Sequence, residues 1–268
     1  MDNSVNKDRP VNIKEQSIKG GAVTLITQLI CQCISVASVI ILARLLTPSD
    51  YGIVAMVTSL TAFISIFSEL GLSGATIQSR SISHDQISVL FWLNVGLGTL
   101  ITLTIAASAP LIAWFYGKPE LVLVTVGISL TSLLSSLGTQ HTALLNRRMR
   151  FKAIAIIQVV ALLTGFIAAV LIALAGGTYW ALVANRIITQ GLASAGVWIA
   201  SDFRPGWPRR GTGVRKLVYF GANIVGFDFT THIRTSMDKI LIGRVWGAQL
   251  VGLYDKAYSL LLLPLQNI

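Results

Sequence analysis

The sequence predicts an all-α polytopic membrane protein: a six-helix N-terminal lobe followed by the first two helices of a parallel-repeat second lobe. Three observations predict it. Of 268 residues, 53% are hydrophobic and only 12% are charged, about half the roughly 25% charged share of soluble domains, and mean hydropathy is +0.71. So few charges cannot coat a soluble surface of this size. The apolar residues are gathered into runs of membrane-crossing length, and the cations sit in the gaps between them. The stretch from 217 also echoes the start of the first lobe. High apolar content, Gly without a three-residue period and only two Cys exclude a disordered, collagenous or disulfide-rich secreted chain.

Residues 1–19 form a polar N-terminal segment, too polar for a cleaved signal peptide. Six apolar runs follow within 20–200, near 20–43, 51–70, 88–115, 121–144, 153–175 and 178–200, judged against the about 17–25 residues needed to cross the hydrocarbon. A basic loop, 201–216, leads to 217–268, which holds a more polar seventh span (217–245) and an eighth that begins near 249.

With the N-terminus inside, the inner segments hold Lys7, Arg9, Lys14, Lys19, Arg80, Arg147, Arg148, Arg150, Lys152, Arg204, Arg209, Arg210, Arg215 and Lys216. The outer turns hold Arg44, Lys118 and Arg244 alone. This asymmetry predicts a cytoplasmic N-terminus. It also explains the net charge of +10 as a solvated topology signal rather than a nucleic-acid surface.

At an offset of 200 residues Ile40, Arg44, Gly52, Ser59 and Leu60 fall on Ile240, Arg244, Gly252, Ser259 and Leu260, and Gly21-Ala22 on Gly221-Ala222. The repeat unit would be six helices, an even number, so successive units enter from the same side, an architecture with a site between its halves. A complete second unit needs more residues than follow position 216, so the chain is expected to be a truncated form of a longer protein.

Ionisable groups inside the spans are costly, on the order of 3 kcal/mol each at mid-bilayer. The seventh span carries Asp228, His232, Arg234, Asp238 and Lys239. Asp228, His232, Thr235 and Lys239 share one helical face, as do their counterparts Gln28, Gln32, Ser35 and Val39. Both stripes are expected to line a cavity, with intramolecular pairing, for instance of Arg234 with Asp238, as the alternative. Arg186 lies about 12 Å along its helix from Thr178. It needs a carboxylate such as Asp228, carbonyls or an anionic headgroup. Glu69, Asp50, Arg44 and Asp255 sit at expected span ends, where capping or snorkelling explains them.

Covalent chemistry finds little support. Cys31 and Cys33 point to different helix faces and read as packing residues. His84, His141 and His232 lack the spacing of a metal site, so no metal is expected. Gly117-Lys118 lacks the first Gly of a phosphate loop, and no cofactor is expected. Gly71, Gly74 and Gly176-Gly177 read as turns. Ala169/Ala173 and Gly191/Ala195 read as close helix packing. Movement of a solute fits these residues better than catalysis.

LARLLTPSDYGIVAM with ELGLSGATIQ, and MDKILIGRVWGAQLVGLYDKAYSLLLLPLQNI, resemble the two motif regions of bacterial polysaccharide biosynthesis proteins. These are the lipid-linked oligosaccharide flippases of the multidrug/oligosaccharidyl-lipid/polysaccharide exporter superfamily. The resemblance runs from about Ile18 to Ile268. It implies carriage of an undecaprenyl-pyrophosphate-linked oligosaccharide from the cytoplasmic to the periplasmic leaflet for lipopolysaccharide, capsule or exopolysaccharide assembly. It implies two lobes around a cationic cavity, with membrane lipids, a polysaccharide polymerase and export machinery as partners. Arg44, Pro48, Gly52 and Gly71 fall in the first motif and Asp238, Gly243, Gly247, Gly252 and Tyr254 in the second, with roles in turns and helix-end packing. The resemblance supplies no catalytic set. Charge and depth instead nominate Arg186, Arg234 and His232, with Gln28 and Gln32, for the substrate and Asp228 for a coupling ion. An inactive or interacting truncated remnant, a drug or lipid exporter of the same superfamily, and a membrane polymerase or glycosyltransferase remain alternatives.

Overall fold

The computed structural model describes residues 13–65, 76–77, 82–207 and 237–262, which are helices joined by short connections with no strand among them. In chain order they are α1 (Ile13–Leu45), α2 (Pro48–Ser65), α3 (His84–Tyr116), α4 (Leu121–Arg147), α5 (Phe151–Leu174), α6 (Trp180–Ala200), α7 (237–246) and α8 (Ala248–Leu262). The protein is an all-α polytopic membrane protein. Gly20–Leu45 of α1, together with α3, α4 and α5, are long and apolar enough to cross a membrane by length and composition. The expected spans at 51–70 and 178–200 correspond to α2 and α6, each of which carries an ionisable residue, Asp50 and Arg186. Gly71, Asp228, His232 and Arg234 lie outside the described residues.

The helix ends follow from local chemistry. Pro48 occupies the first turn of α2, where its missing N–H costs nothing. The Thr47 backbone N–H and hydroxyl donate to Asp50 Oδ2 at 2.9 and 2.7 Å, and the Asp50 N–H donates back to Thr47 Oγ1 at 3.3 Å. Asp50 is therefore a capping residue, as expected at a span end. Ser83 and Gln86 form a reciprocal capping box at the start of α3. Gly117, Gly176 and Gly247 take φ of 67°, 84° and 82°, the left-handed region that ends helices without a Cβ penalty. These turns share one end of the bundle.

α3 packs on α4, α5 on α6, α4 on α6, α1 on α5, and α2 on α8. The central core joins Met56 and Val57 of α2, Ile112 and Tyr116 of α3, Leu121 and Val124 of α4, Val183 of α6, and Ala248 and Val251 of α8. A second apolar cluster holds Leu42, Leu46 and Tyr51 against Ala169 and Ala181. Ala169 thus packs as its spacing suggested. Gly191 does not: a Cβ there would meet only Leu134 Cδ1, at 3.8 Å. The close α5–α6 approach falls instead at Gly165, where a Cβ would overlap the Thr189 hydroxyl and lie 3.0 Å from the Asn185 carbonyl oxygen.

The tightest crossing is between α2 and α8. A Cβ on Gly52 would overlap the Ala248 carbonyl oxygen, and one on Gly252 would overlap the Pro48 carbonyl oxygen. Exchanging each residue with the one 200 positions away turns one contact into the other. The crossing is thus symmetric at the offset seen in the sequence.

At the opposite end the basic turn 147–152 does more than face solvent. Arg147 donates to the Thr76 carbonyl at 2.8 Å and Arg150 to that of Ala200 at 2.8 Å. Asp202 lies 3.2 Å from Arg148 and 3.8 Å from Arg150. The segment 201–207 then returns over α3, where Trp92 Nε1 donates to the Gly206 carbonyl at 2.9 Å. His141, fully buried, stacks on Trp198 at 4.3 Å and meets Phe91 and Phe203 edge-on at 5.7 and 5.6 Å.

Gly52→Leu should force α2 and α8 apart and destabilise the protein by about 1–3 kcal/mol or more, read as a lower thermal midpoint in detergent. Gly96→Ala, where a Cβ meets nothing within 4 Å, should be neutral or slightly stabilising.

Candidate functional site

The close α2–α8 crossing brings charged side chains of α7 and α8 together, with Arg186 of α6 within electrostatic reach. Turning at Gly247 lays α7 beside the start of α8, which lets Lys239 Nζ reach Asp255 Oδ1 at 2.6 Å. Lys256 Nζ approaches the other carboxylate oxygen at 3.6 Å and sits 4.5 Å above the centre of the Tyr51 ring on α2. Arg186 on α6 is exposed and makes no ion pair with Asp255, acting on it through longer-range attraction and on Lys256 through repulsion. Asp255, Lys239 and Lys256 are about one-fifth to one-third exposed, at 19%, 22% and 30%.

Depth supports the grouping. From the end that carries Gly247 and the Gly176 turn, Asp255 lies about 11 Å along α8 and Arg186 about 9 Å along α6, at 1.5 Å per residue. Two lysines pair with one carboxylate and Arg186 lies within electrostatic reach of it, so cations outnumber carboxylates in this part of the described structure. That surplus is costly in hydrocarbon, and an anionic group placed between α6 and α8 would offset it.

Asp255 was expected to be a snorkelling or capping group. It is neither: it lies inside α8 and neutralises lysines from two helices. The signal was present in the sequence as an Asp-Lys pair inside an otherwise apolar run, two helical turns past Gly247, where an end residue would not sit. Lys256 was overlooked for the same reason. Lys239, placed on the polar face of the seventh span, is found pairing with Asp255.

The other nominated residues divide. Arg186 is in the cluster. Gln28 is exposed and Gln32 half-buried on α1, and no hydrogen bond or ion pair among the described residues joins either to Arg186. Asp238 accepts a hydrogen bond from Tyr254 Oη at 3.0 Å, so it ties α7 to α8. Gly243 makes room for Tyr116, whose Cε1 would lie 2.8 Å from a Cβ. Arg244 stacks over Phe115 at 5.6 Å, whereas Arg44 is exposed. Among the described residues no group of three His, Cys, Asp or Glu could hold a metal, and Cys31 and Cys33 are free thiols.

Asp255→Asn should leave Lys239 and Lys256 without their counter-charge and lower stability by about 1–3 kcal/mol. Asp255→Glu should recover most of the loss in a thermal-unfolding measurement. Tyr254→Phe, which removes one exposed hydrogen bond, should cost no more than about 1 kcal/mol.

Comparison with known proteins bears on these residues directly. The chain is 25% identical over 260 residues to the lipopolysaccharide biosynthesis protein WzxC of Escherichia coli (strain K12), covering 95% of this chain and 52% of that protein. It is 26% identical over 261 residues to the teichuronic acid biosynthesis protein TuaB of Bacillus subtilis (strain 168), covering 96% and 54%. It is also 26% identical over 228 residues to the succinoglycan biosynthesis transport protein ExoT of Rhizobium meliloti (strain 1021), covering 85% and 46%. The chain therefore spans about half the length of these relatives. No solved structure matches it significantly. Residues 41–268, which include α2, Arg186 and all of α7 and α8, match the model of the family described as polysaccharide biosynthesis protein, and the chain belongs to that family.

Proposed function

We propose that this chain carries the cation-bearing part of a flippase that moves an undecaprenyl-pyrophosphate-linked oligosaccharide from the cytoplasmic to the periplasmic leaflet. The observation that carries the reading is the pairing of Lys239 and Lys256 with Asp255, with Arg186 within electrostatic reach of that carboxylate, among apolar helices. A pyrophosphate esterified at both ends is a compact dianion, and a partly buried group with surplus cations is its electrostatic complement. The same cations would leave a neutral lipid unrecognised. Relatives named for lipopolysaccharide, teichuronic acid and succinoglycan biosynthesis support an envelope-glycan substrate, and the one named a transport protein supports movement rather than bond formation.

Orientation follows from the cations. The turn 147–152 and the segment 201–216 belong in the cytoplasm, which places the Gly117, Gly176 and Gly247 turns at the periplasmic surface of the inner membrane and the Arg186 cluster in the outer half of the hydrocarbon. Because α7 and α8 come from the second predicted lobe and α6 from the first, the anion would sit where the lobes meet. Membrane lipids, a polysaccharide polymerase and export machinery are the further partners on this reading. Gln28, Gln32, Arg234 and His232 would add to the substrate surface and Asp228 to ion coupling.

The test is complementation of a host deleted for the locus, using the native reading frame. Arg186→Ala should reduce surface polysaccharide about 10-fold or more, the scale of losing one charged hydrogen bond of about 1.5–3 kcal/mol, with unchanged membrane abundance and with lipid-linked precursor accumulating. Normal polymer from a stably inserted Arg186→Ala protein would remove Arg186 from the substrate path.

A further inference from the structure

Two adjoining cavities, of about 610 and 420 Å³, open at the basic end of the bundle where α1 meets the α4–α5 turn, and Gly20, Met149 and Phe151 line both. Among the described residues the larger adds Arg148, Arg150 and Lys152, without a carboxylate. The smaller adds Gly21, Thr24 and Leu25. Two glycines shape the space. A Cβ on Gly20 would meet the Phe151 ring at 2.5 Å, so α1 and α5 close on one another there, while a Cβ on Gly21 would meet nothing within 4 Å.

The charge of this lining is not balanced within the described structure. Arg148 and Arg150 share one carboxylate, that of Asp202, at 3.2 and 3.8 Å, and Lys152 makes no ion pair among the described residues. Three cations thus meet one carboxylate, which is 80% exposed and is not part of the cavity lining. The start of α5 lies in the same wall, and no side chain caps it, so the positive end of a 24-residue helix adds to the field of the cations. An anion in the larger cavity would offset this surplus.

Depth selects the anion. Gly20 and Phe151 begin the membrane-crossing parts of α1 and α5, so the cations stand at the level of the lipid headgroups. Thr24 and Leu25 lie about 6–8 Å deeper along α1, roughly the thickness of the headgroup layer. Leu25 and Leu29, one turn apart and 63% and 61% exposed, continue this apolar surface toward the hydrocarbon. Cations above an apolar cleft complement a phospholipid, with its phosphate at the cations and its chains below. A zwitterionic lipid would bring its ammonium among three cations with no carboxylate in the lining to receive it, whereas a lipid with net negative charge carries no such group. We propose that this site binds an anionic phospholipid of the phosphatidylglycerol kind, its phosphate held by Arg148, Arg150 and Lys152 and its acyl chains laid between α1 and α5. The lipid ties α1, whose main packing partner is α5, to the α4–α5 turn. The site is separate from the Arg186 cluster and independent of the flippase reading.

Native mass spectrometry of the purified protein in detergent, titrated with phosphatidylglycerol or with phosphatidylethanolamine of identical acyl chains, tests the assignment. Phosphatidylglycerol should bind about 10-fold more tightly than phosphatidylethanolamine. Lys152→Gln should weaken phosphatidylglycerol about 5-fold, the scale of one cation at a lipid surface, and leave phosphatidylethanolamine unchanged, while Lys152→Arg should retain the affinity. Gly21→Phe, which fills the smaller cavity, should weaken phosphatidylglycerol at least as much. Equal affinity of the wild-type protein for the two lipids overturns the site. So does a phosphatidylglycerol affinity untouched by Lys152→Gln and Gly21→Phe, since that marks a lipid bound elsewhere on the apolar surface. Displacement of phosphatidylglycerol by an equal concentration of glycerol 3-phosphate assigns the cations to a free phosphate ester and overturns the lipid.

Discussion

The contact on which the rest of this structure depends is the crossing of α2 and α8. Gly52 and Gly252 let each helix place a backbone carbonyl where the other would carry a Cβ. In a membrane the lipid competes with protein for apolar surface, so helices associate through close packing of small residues rather than through the hydrophobic effect. α2 is the main partner of α8. Without this crossing, Asp255 and Lys256 would not face Arg186, and Lys256 would not reach the Tyr51 ring.

The charged cluster and the helix packing reinforce one another. Lys239 and Asp255, on opposite sides of the Gly247 turn, approach to 2.6 Å, and Tyr254 with Asp238 adds a second tie across the same turn. Together they hold α7 and α8 as a hairpin. Gly243 lets that hairpin settle against Met56 and Tyr116 of the first lobe. The residues of the two motif regions therefore shape turns and crossings, and through them position the charged cluster.

The basic end shows a similar economy. Arg147, Arg148 and Arg150 satisfy a topology rule and also fasten the α4–α5 turn to the Thr76 carbonyl, to Asp202 and to the end of α6. His141, which invites a catalytic or metal role on identity alone, is occupied by aromatic stacking against Trp198, Phe91 and Phe203. A buried ring surrounded by other rings explains its position through packing.

Helix number, helix ends and the offset of 200 residues were legible in the sequence, because they rest on local rules. An apolar run of membrane length, Thr47-Pro48-Ser49-Asp50 as a cap, and Gly at 117, 176 and 247 as stops each act over a few residues. Arg186 was legible as a group that needs a partner for the same reason: a lone guanidinium inside an apolar run is costly wherever the helix packs. Its partner was not. The carboxylate named for it, Asp228, lies outside the described residues, and only the fold of α7 and α8 onto α2 brings Asp255 within its electrostatic reach. Gln28 and Gln32 shared a helical face, yet a shared face does not say which neighbour it meets, and no described contact carries them to the cluster. The sequence by itself determined which segments are helices and which groups are too costly to face lipid. Tertiary structure decided which of those groups meet, because that depends on how closely two backbones can approach, and here two glycines 200 residues apart set that distance.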